Sequence, residues 1–251
     1  MRKTSEVYRD TIVSLVTAVE RDEVKSIDKA AEVLAKSVAE GRLINIIGTG
    51  GHSAMAAEEA FYRAGNLVPV NALLDAGTNL IHGARRSICI ERTPGYAATV
   101  LDAYGVSSGD ALIIANAYGI NAMTIDCALE CNKRNITSIG ITSMSFAESV
   151  PAGSCMRHPS NKNLYEIVDI WIDTHMPLGD ASVEVVGIPQ KMGPTSTLLN
   201  VFTVNLLMMR TAEKLIGIGL DAPVWTSVNL PNGDMLNEKF RNNYMLQVKH
   251  K

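Results

Sequence analysis

The 251-residue chain contains no apolar run near the roughly 18 residues that a membrane-spanning helix requires. Its opening, MRKTSEVYRD, lacks the basic-then-apolar composition of a secretion signal. Positive charge is not in excess either. The formal net charge is −3, which removes the electrostatic footprint of nucleic-acid binders and of proteins drawn to anionic membranes. Cysteine is scarce: Cys89, Cys127, Cys131 and Cys155 are scattered through a chain long enough to bury a core without disulfide staples. Cys127 and Cys131 share a face of an expected helix, but no histidine stands near them in sequence, so they read as packing groups rather than half a zinc site. No histidine has a second ligand at i+3 or i+4, so no metal is expected. No Gly-Lys-Ser/Thr follows the one glycine cluster, and no linker or low-complexity segment interrupts the chain. The expectation is a cytoplasmic protein whose partner is a small molecule, with neither nucleic acid nor membrane involved.

What is present is a repeating beat. Residues 4–40 carry apolar side chains at three-to-four spacing, broken at RDEVKS (21–26), which predicts two consecutive helices. LINIIG (43–48) is a short, nearly continuous apolar run, the pattern of a parallel strand covered on both faces. A helix is expected over 53–64 and a second strand over 67–74. Helices over 93–105 and 122–135 then alternate with strands over 110–116 and 136–143, and a last strand covers 167–174. Strands alternating with helices at these lengths mean βαβ units, an α/β protein with a doubly wound parallel sheet of about five strands. A long helix over 196–219 and a short one over 233–244 follow. The segment 144–166 is long and polar for such a unit, which marks it as functional or disordered. The organisation expected is one domain over 1–251, with a core at about 40–220, N-terminal helices at 4–40 and a C-terminal extension at 221–251.

The chemistry concentrates in INIIGTGGHSAMAAEE (44–59), a glycine-rich turn between a strand and a helix. Such a turn offers backbone N–H groups to an anion or a polyhydroxylated ligand. A dinucleotide fits it badly: G-x-G-x-x-G is met only if Ser53 replaces the third glycine, and the acidic partner, Asp75, falls past the second strand rather than at its end. Two further strand ends carry small polar loops, NAYGIN (116–121) and TSMSFAES (142–149), and GPTST (193–197) opens the long helix.

These landmarks, with KMGPTSTLLNVFTVNLLMMRTAEKL, resemble the SIS (sugar isomerase) domain family over roughly residues 10–220. GIPQKMGPTST and NLPNGDMLNEKF further resemble a branch of single-domain SIS proteins. The resemblance implies a flavodoxin-like or Rossmann-like SIS fold with extra helices at both ends. It also implies phosphosugar chemistry without a cofactor, and homodimers or tetramers with active sites built across subunits. Carried onto this chain, it implies substrate binding by Thr49, Gly50, Gly51, His52, Ser53, Asn116, Tyr118, Gly119, Asn121, Thr195, Ser196 and Thr197, with His158 capping the ligand from the long loop. One departure stands out. The family's second loop usually supplies serines and a threonine, whereas this one supplies carboxamides and the bulky Tyr118.

Aldose–ketose isomerisation needs a base for the proton alpha to the carbonyl and a group that opens the ring. Glu58 and Glu59 lie on the helix after the glycine turn, about 100° apart, so at most one points into the crevice. His82, in AGTNLIHG, resembles a ring-opening histidine that sugar isomerase domains of this kind take from the neighbouring subunit. Glu184 is a reserve base, and His175 lies near it. The preferred reading is a sugar phosphate isomerase working through an enediol. A non-catalytic sugar-phosphate-binding regulatory module and a lyase or deglycase on a modified sugar phosphate are the alternatives.

Overall fold

The computed structural model describes residues 3–249. Two helices open the chain, α1 (Thr4–Asp22) and α2 (Val24–Ala39), separated at Glu23. Ile27, Ala30, Ala31, Leu34 and Ala35 form the buried stripe of α2, the three-to-four spacing that presses one helical face onto a core. The α/β alternation follows: β1 (Ile44–Gly48), α3 (Ala54–Ala60), β2 (Val70–Ala72), α4 (Ala84–Glu91), α5 (Tyr96–Ala103), β3 (Ala111–Ala115), α6 (Ala122–Arg134), β4 (Thr137–Thr142), α7 (Met144–Ser149) and β5 (Ile170–Asp173). A short ribbon of β6 (Ala181–Val185) and β7 (Ile188–Pro194) precedes α8 (Ser196–Gly217) and α9 (Gly233–Asn243).

The main sheet is parallel throughout, in the order β2-β1-β3-β4-β5. Every residue of β1 and β3 is buried, as their nearly continuous apolar runs predict. Alternate side chains serve opposite layers. Ile44, Ile46, Ile113 and Ile139 pack with α2, α3 and α8, while Ile47, Leu112 and Ile114 pack with α5 and α6. The chain leaves β1 outward for β2 and returns across it to β3, so the strand order reverses between β1 and β3. A crevice opens beyond the carboxyl ends of strands at such a reversal.

The expected doubly wound sheet with helical additions at both ends is what folds, with shorter elements at several places. The second strand, expected over 67–74, contracts to β2, while Leu67 pairs instead with Val224. Four elements, α4, α7, β6 and β7, were absent from the expectation. Helix α4 buries only Ser87, so it carries no apolar stripe to read. The β6–β7 ribbon is antiparallel and bulged, and its second strand holds two prolines and a glycine, residues that ordinarily argue against a strand. Helix α7 occupies the start of the polar segment 144–166. Arg157 ties the rest of that segment down by donating to the carbonyls of Ala147 (2.7 Å) and Val150 (3.0 Å) and to Asn163 Oδ1 (2.9 Å). Among the described residues, no helix is long and apolar enough to cross a membrane.

Leu34, fully buried where α2 meets the sheet, tests the layer packing. Leu34→Ala is expected to cost about 2–5 kcal/mol by transfer and cavity terms together. A urea titration should show a lowered midpoint with an unchanged slope.

Candidate functional site

The glycine turn is set by steric necessity at Gly48. A Cβ there would lie 2.0 Å from the backbone oxygen of Ser53, so only glycine lets the turn fold back on the end of β1. The returning chain closes with Ala54 N–H donating to the Gly50 carbonyl (2.9 Å). The backbone N–H groups of Gly50, Gly51, His52 and Ser53 find no acceptor among the described residues. All four residues line one cavity of about 450 Å³.

The second wall comes from α4 and the turn before it. Leu80, Ala84, Ser87, Ile88 and Glu91 face the cavity at helical spacing. Packing against the glycine turn is tight: a Cβ on Gly51 would meet Leu80 at 2.5 Å, and one on Gly50 would stand 2.9 Å from Glu91 Oε1. The Glu91 carboxylate therefore rests against bare backbone. Burial pushes its pKa from the ordinary 4.5 up to about 7, against the opposing pull of an Asn116 side-chain hydrogen bond and of nearby Arg92.

The third wall is the loop after β3. Asn116 is buried, and its Oδ1 accepts from the N–H groups of Tyr118 (3.1 Å) and Gly119 (2.9 Å). Ala117 and Tyr118 line the cavity. The Tyr118 ring packs on Phe146 at 4.5 Å between centroids. Burial raises the Tyr118 phenol above its usual range, and the carboxylates of Asp180 and Glu91 add to the rise.

The start of α8 completes the enclosure with Pro194, Ser196 and Thr197. Its N-terminus is capped from within. Asp180 Oδ1 accepts from the N–H groups of Thr195 (2.8 Å) and Ser196 (2.7 Å), and Oδ2 accepts from the Ser196 hydroxyl (2.9 Å). Asp180 also faces the cavity.

Of the residues expected at a site, Gly50, Gly51, His52, Ser53, Tyr118, Ser196 and Thr197 meet at this cavity. The others are placed elsewhere. Thr49 is buried, its hydroxyl 2.6 Å from that of Thr124. Gly119 is buried against Thr142, and Thr195 is fully buried with its hydroxyl on Asp180. Asn121 donates to the Met156 carbonyl (3.1 Å), and its buried Oδ1 has no partner. His158 pairs with Asp126 (3.1 Å) and Ser160 (2.7 Å) in the long loop. Glu58 is exposed and accepts from Asn79 (3.1 Å), while Glu59 pairs with Arg63 (3.2 Å) and accepts from Asn205 (3.4 Å). His82 is exposed at the end of a single 3-10 turn, Leu80–His82. His175 lies between Glu23 and Asp173. Glu184 belongs to a separate cleft of about 710 Å³ between α1 and the β6–β7 ribbon.

Sequence reasoning missed Glu91 and the capping role of Asp180. The spacing of Ser87 and Glu91, four apart before Thr93-Pro94, is a signal for one helical face. It becomes visible only once α4 is recognised as a helix.

A parallel sheet with a glycine turn and a shielded carboxylate at its reversal point defines an α/β small-molecule site. The chain belongs to the SIS domain family, whose profile matches residues 7–143. It is 32% identical to a UPF0309 protein of Shouchella clausii and 30% identical to one of Brucella canis, each over 97% of both chains. Among solved structures it is similar in fold to a phosphoheptose isomerase from Francisella tularensis. That likeness has a TM-score of 0.55 and 15% identity, covering 85% of this chain and 100% of that one. A phosphoheptose isomerase from Neisseria gonorrhoeae is similar at a TM-score of 0.54 and 14% identity, covering 83% and 97%.

The state of Glu91 is open to direct measurement. A ¹³C-detected titration should show one carboxyl resonance with a midpoint near 7 that vanishes in Glu91→Gln. A folded pKa raised above the unfolded one favours the native state below pH 4.5 and loses that advantage as pH rises through about 7. Glu91→Gln should therefore gain stability relative to the parent across that window. A midpoint near 4.5 would mean that the carboxylate is solvated.

Proposed function

We propose that this protein is a cofactor-independent aldose–ketose isomerase that acts on a sugar phosphate through an enediol intermediate. The observation that carries the reading is Glu91, a carboxyl that titrates near neutrality beside a turn of unpartnered backbone N–H groups. A general base works best with a pKa near the operating pH, and burial supplies that here. The phosphate suits the N–H groups of Gly50 to Ser53, with the Thr197 hydroxyl available to another oxygen.

In this scheme the ionised Glu91 removes the proton from the carbon alpha to the carbonyl. The C–H electrons form the enediol double bond, and the carbonyl electrons move onto oxygen. Glu91 then returns the proton to the neighbouring carbon, and His52 passes the oxygen-bound proton between the two oxygens. Glu58, Glu59 and His82 do not line this cavity, so their part in the chemistry would come through a second copy of the chain, with His82 opening the ring of a sugar held next door. A ligand-binding module without chemistry is the second reading. The bulk of Tyr118 in the cavity and the absence of lysine or arginine among its described lining residues favour it.

Deuterium exchange from D₂O into C1 and C2 of C4–C7 sugar phosphates separates these readings. Glu91→Gln should lower exchange by about 10²–10⁴-fold, the usual weight of a general base. Glu58→Gln and Glu59→Gln should each change it less than tenfold. Loss in Glu59→Gln with Glu91→Gln spared would move the base to α3. Stabilisation by a sugar phosphate without any exchange would leave the binding module.

A further inference from the structure

An enediolate needs a hydrogen-bond donor at its oxygen, and that donor must stand beside the base. The carbon that loses its proton is bonded directly to the carbonyl carbon, so the two groups act on neighbouring atoms. Two of the hydroxyls that line the cavity are already committed. Ser87 donates to the Thr78 carbonyl (2.6 Å), and Ser196 donates to Asp180 Oδ2 (2.9 Å). Tyr118 differs from them. Its side chain lines the cavity, and no acceptor for its hydroxyl stands among the described residues.

The loop around it holds the phenol in place. The Tyr118 N–H donates to Asn116 Oδ1 (3.1 Å), and the preceding carbonyl, of Ala117, accepts the Ser143 N–H (3.0 Å). The ring packs on Phe146, 4.5 Å between centroids with the planes 39° apart. A donor fixed before the substrate arrives needs no reorganisation when charge develops. The phenol also lies in the field of two carboxylates, Asp180 and Glu91. Both oppose a phenolate, so the oxygen keeps its proton and serves as a donor.

Glu91 and Tyr118 line one cavity and sense each other's charge, which suits a reaction at two bonded atoms. Resting on the isomerase reading, we propose that Tyr118 is a further catalytic residue, whose hydroxyl hydrogen-bonds the substrate oxygen that becomes negative as Glu91 removes the adjacent proton. The C–H electrons enter the enediol double bond and the carbonyl electrons settle on that oxygen. The phenol shares its proton with the oxygen and retains it, while His52 carries a proton between the two substrate oxygens. The ring that narrows the cavity thus brings a donor into it, at a loop position where this chain departs from the SIS pattern.

Tyr118→Phe keeps the ring on Phe146 and removes only the hydroxyl. Deuterium exchange from D₂O into C4–C7 sugar phosphates is measured on the full chain, with kcat and KM determined separately and folding checked by circular dichroism. Loss of one such donor should lower kcat by about 10²–10³-fold and leave KM within about threefold. A kcat within about threefold of the parent, with KM unchanged or raised, overturns the role of Tyr118 and leaves the isomerase reading standing. Absence of exchange in the parent protein overturns both. Tyr118→3-fluorotyrosine and Tyr118→3,5-difluorotyrosine give a second measurement that retains ring, hydroxyl and fold. With the phenol still protonated, kcat should rise as its acidity rises, and a flat series overturns the proposal. Should Tyr118→Phe fail to fold, the fluorinated series decides the matter.

Discussion

The tight return of the chain at Gly48 is the constraint on which the site depends. No side chain fits there, because the backbone of Ser53 comes back over the end of β1. That return aims the turn away from the sheet ladder and leaves four successive N–H groups without acceptors. It also presents bare glycine to α4, so that the Glu91 carboxylate can approach Gly50 as closely as backbone allows. Leaving polar groups unsatisfied costs free energy, and the layers of α2, α8 and the buried strands provide the stability against which that cost is set.

Two carboxylates share this cavity, and their surroundings treat them differently. Asp180 collects two N–H groups and a hydroxyl at the start of α8. Glu91 loses water without comparable compensation, which favours the protonated form. Tyr118 lies in the field of both and reports them through its own raised phenol.

The sheet was legible in the sequence because a strand buried on both faces is largely apolar: ALIIA is so throughout, and INIIG departs at Asn45, which donates to the Ala111 carbonyl and accepts from Asn71. Helices α2, α6 and α8 were legible for the corresponding reason, a buried stripe at helical spacing. The glycine turn and the SIS resemblance followed from its residues. Helix α4 was not legible, since it presents most of its side chains to solvent and the cavity rather than to a core, and Glu91 stayed hidden with it. Asp180 escaped for a topological reason: its partners lie 15 and 16 residues on and meet it only when the ribbon closes. Asn116 was read as a ligand donor from its loop position. Its Oδ1 shapes that loop and its side chain supports Glu91, a use that depends on three-dimensional neighbours.

The pH dependence of kcat/KM for solvent-deuterium exchange into a sugar phosphate tests the central claim most directly, because it reports the base of the free protein. The account predicts a tenfold rise per pH unit on the acid side that levels off near 7, the titration of Glu91. A profile that is already level at about pH 5, within the ordinary carboxylate range, would contradict it.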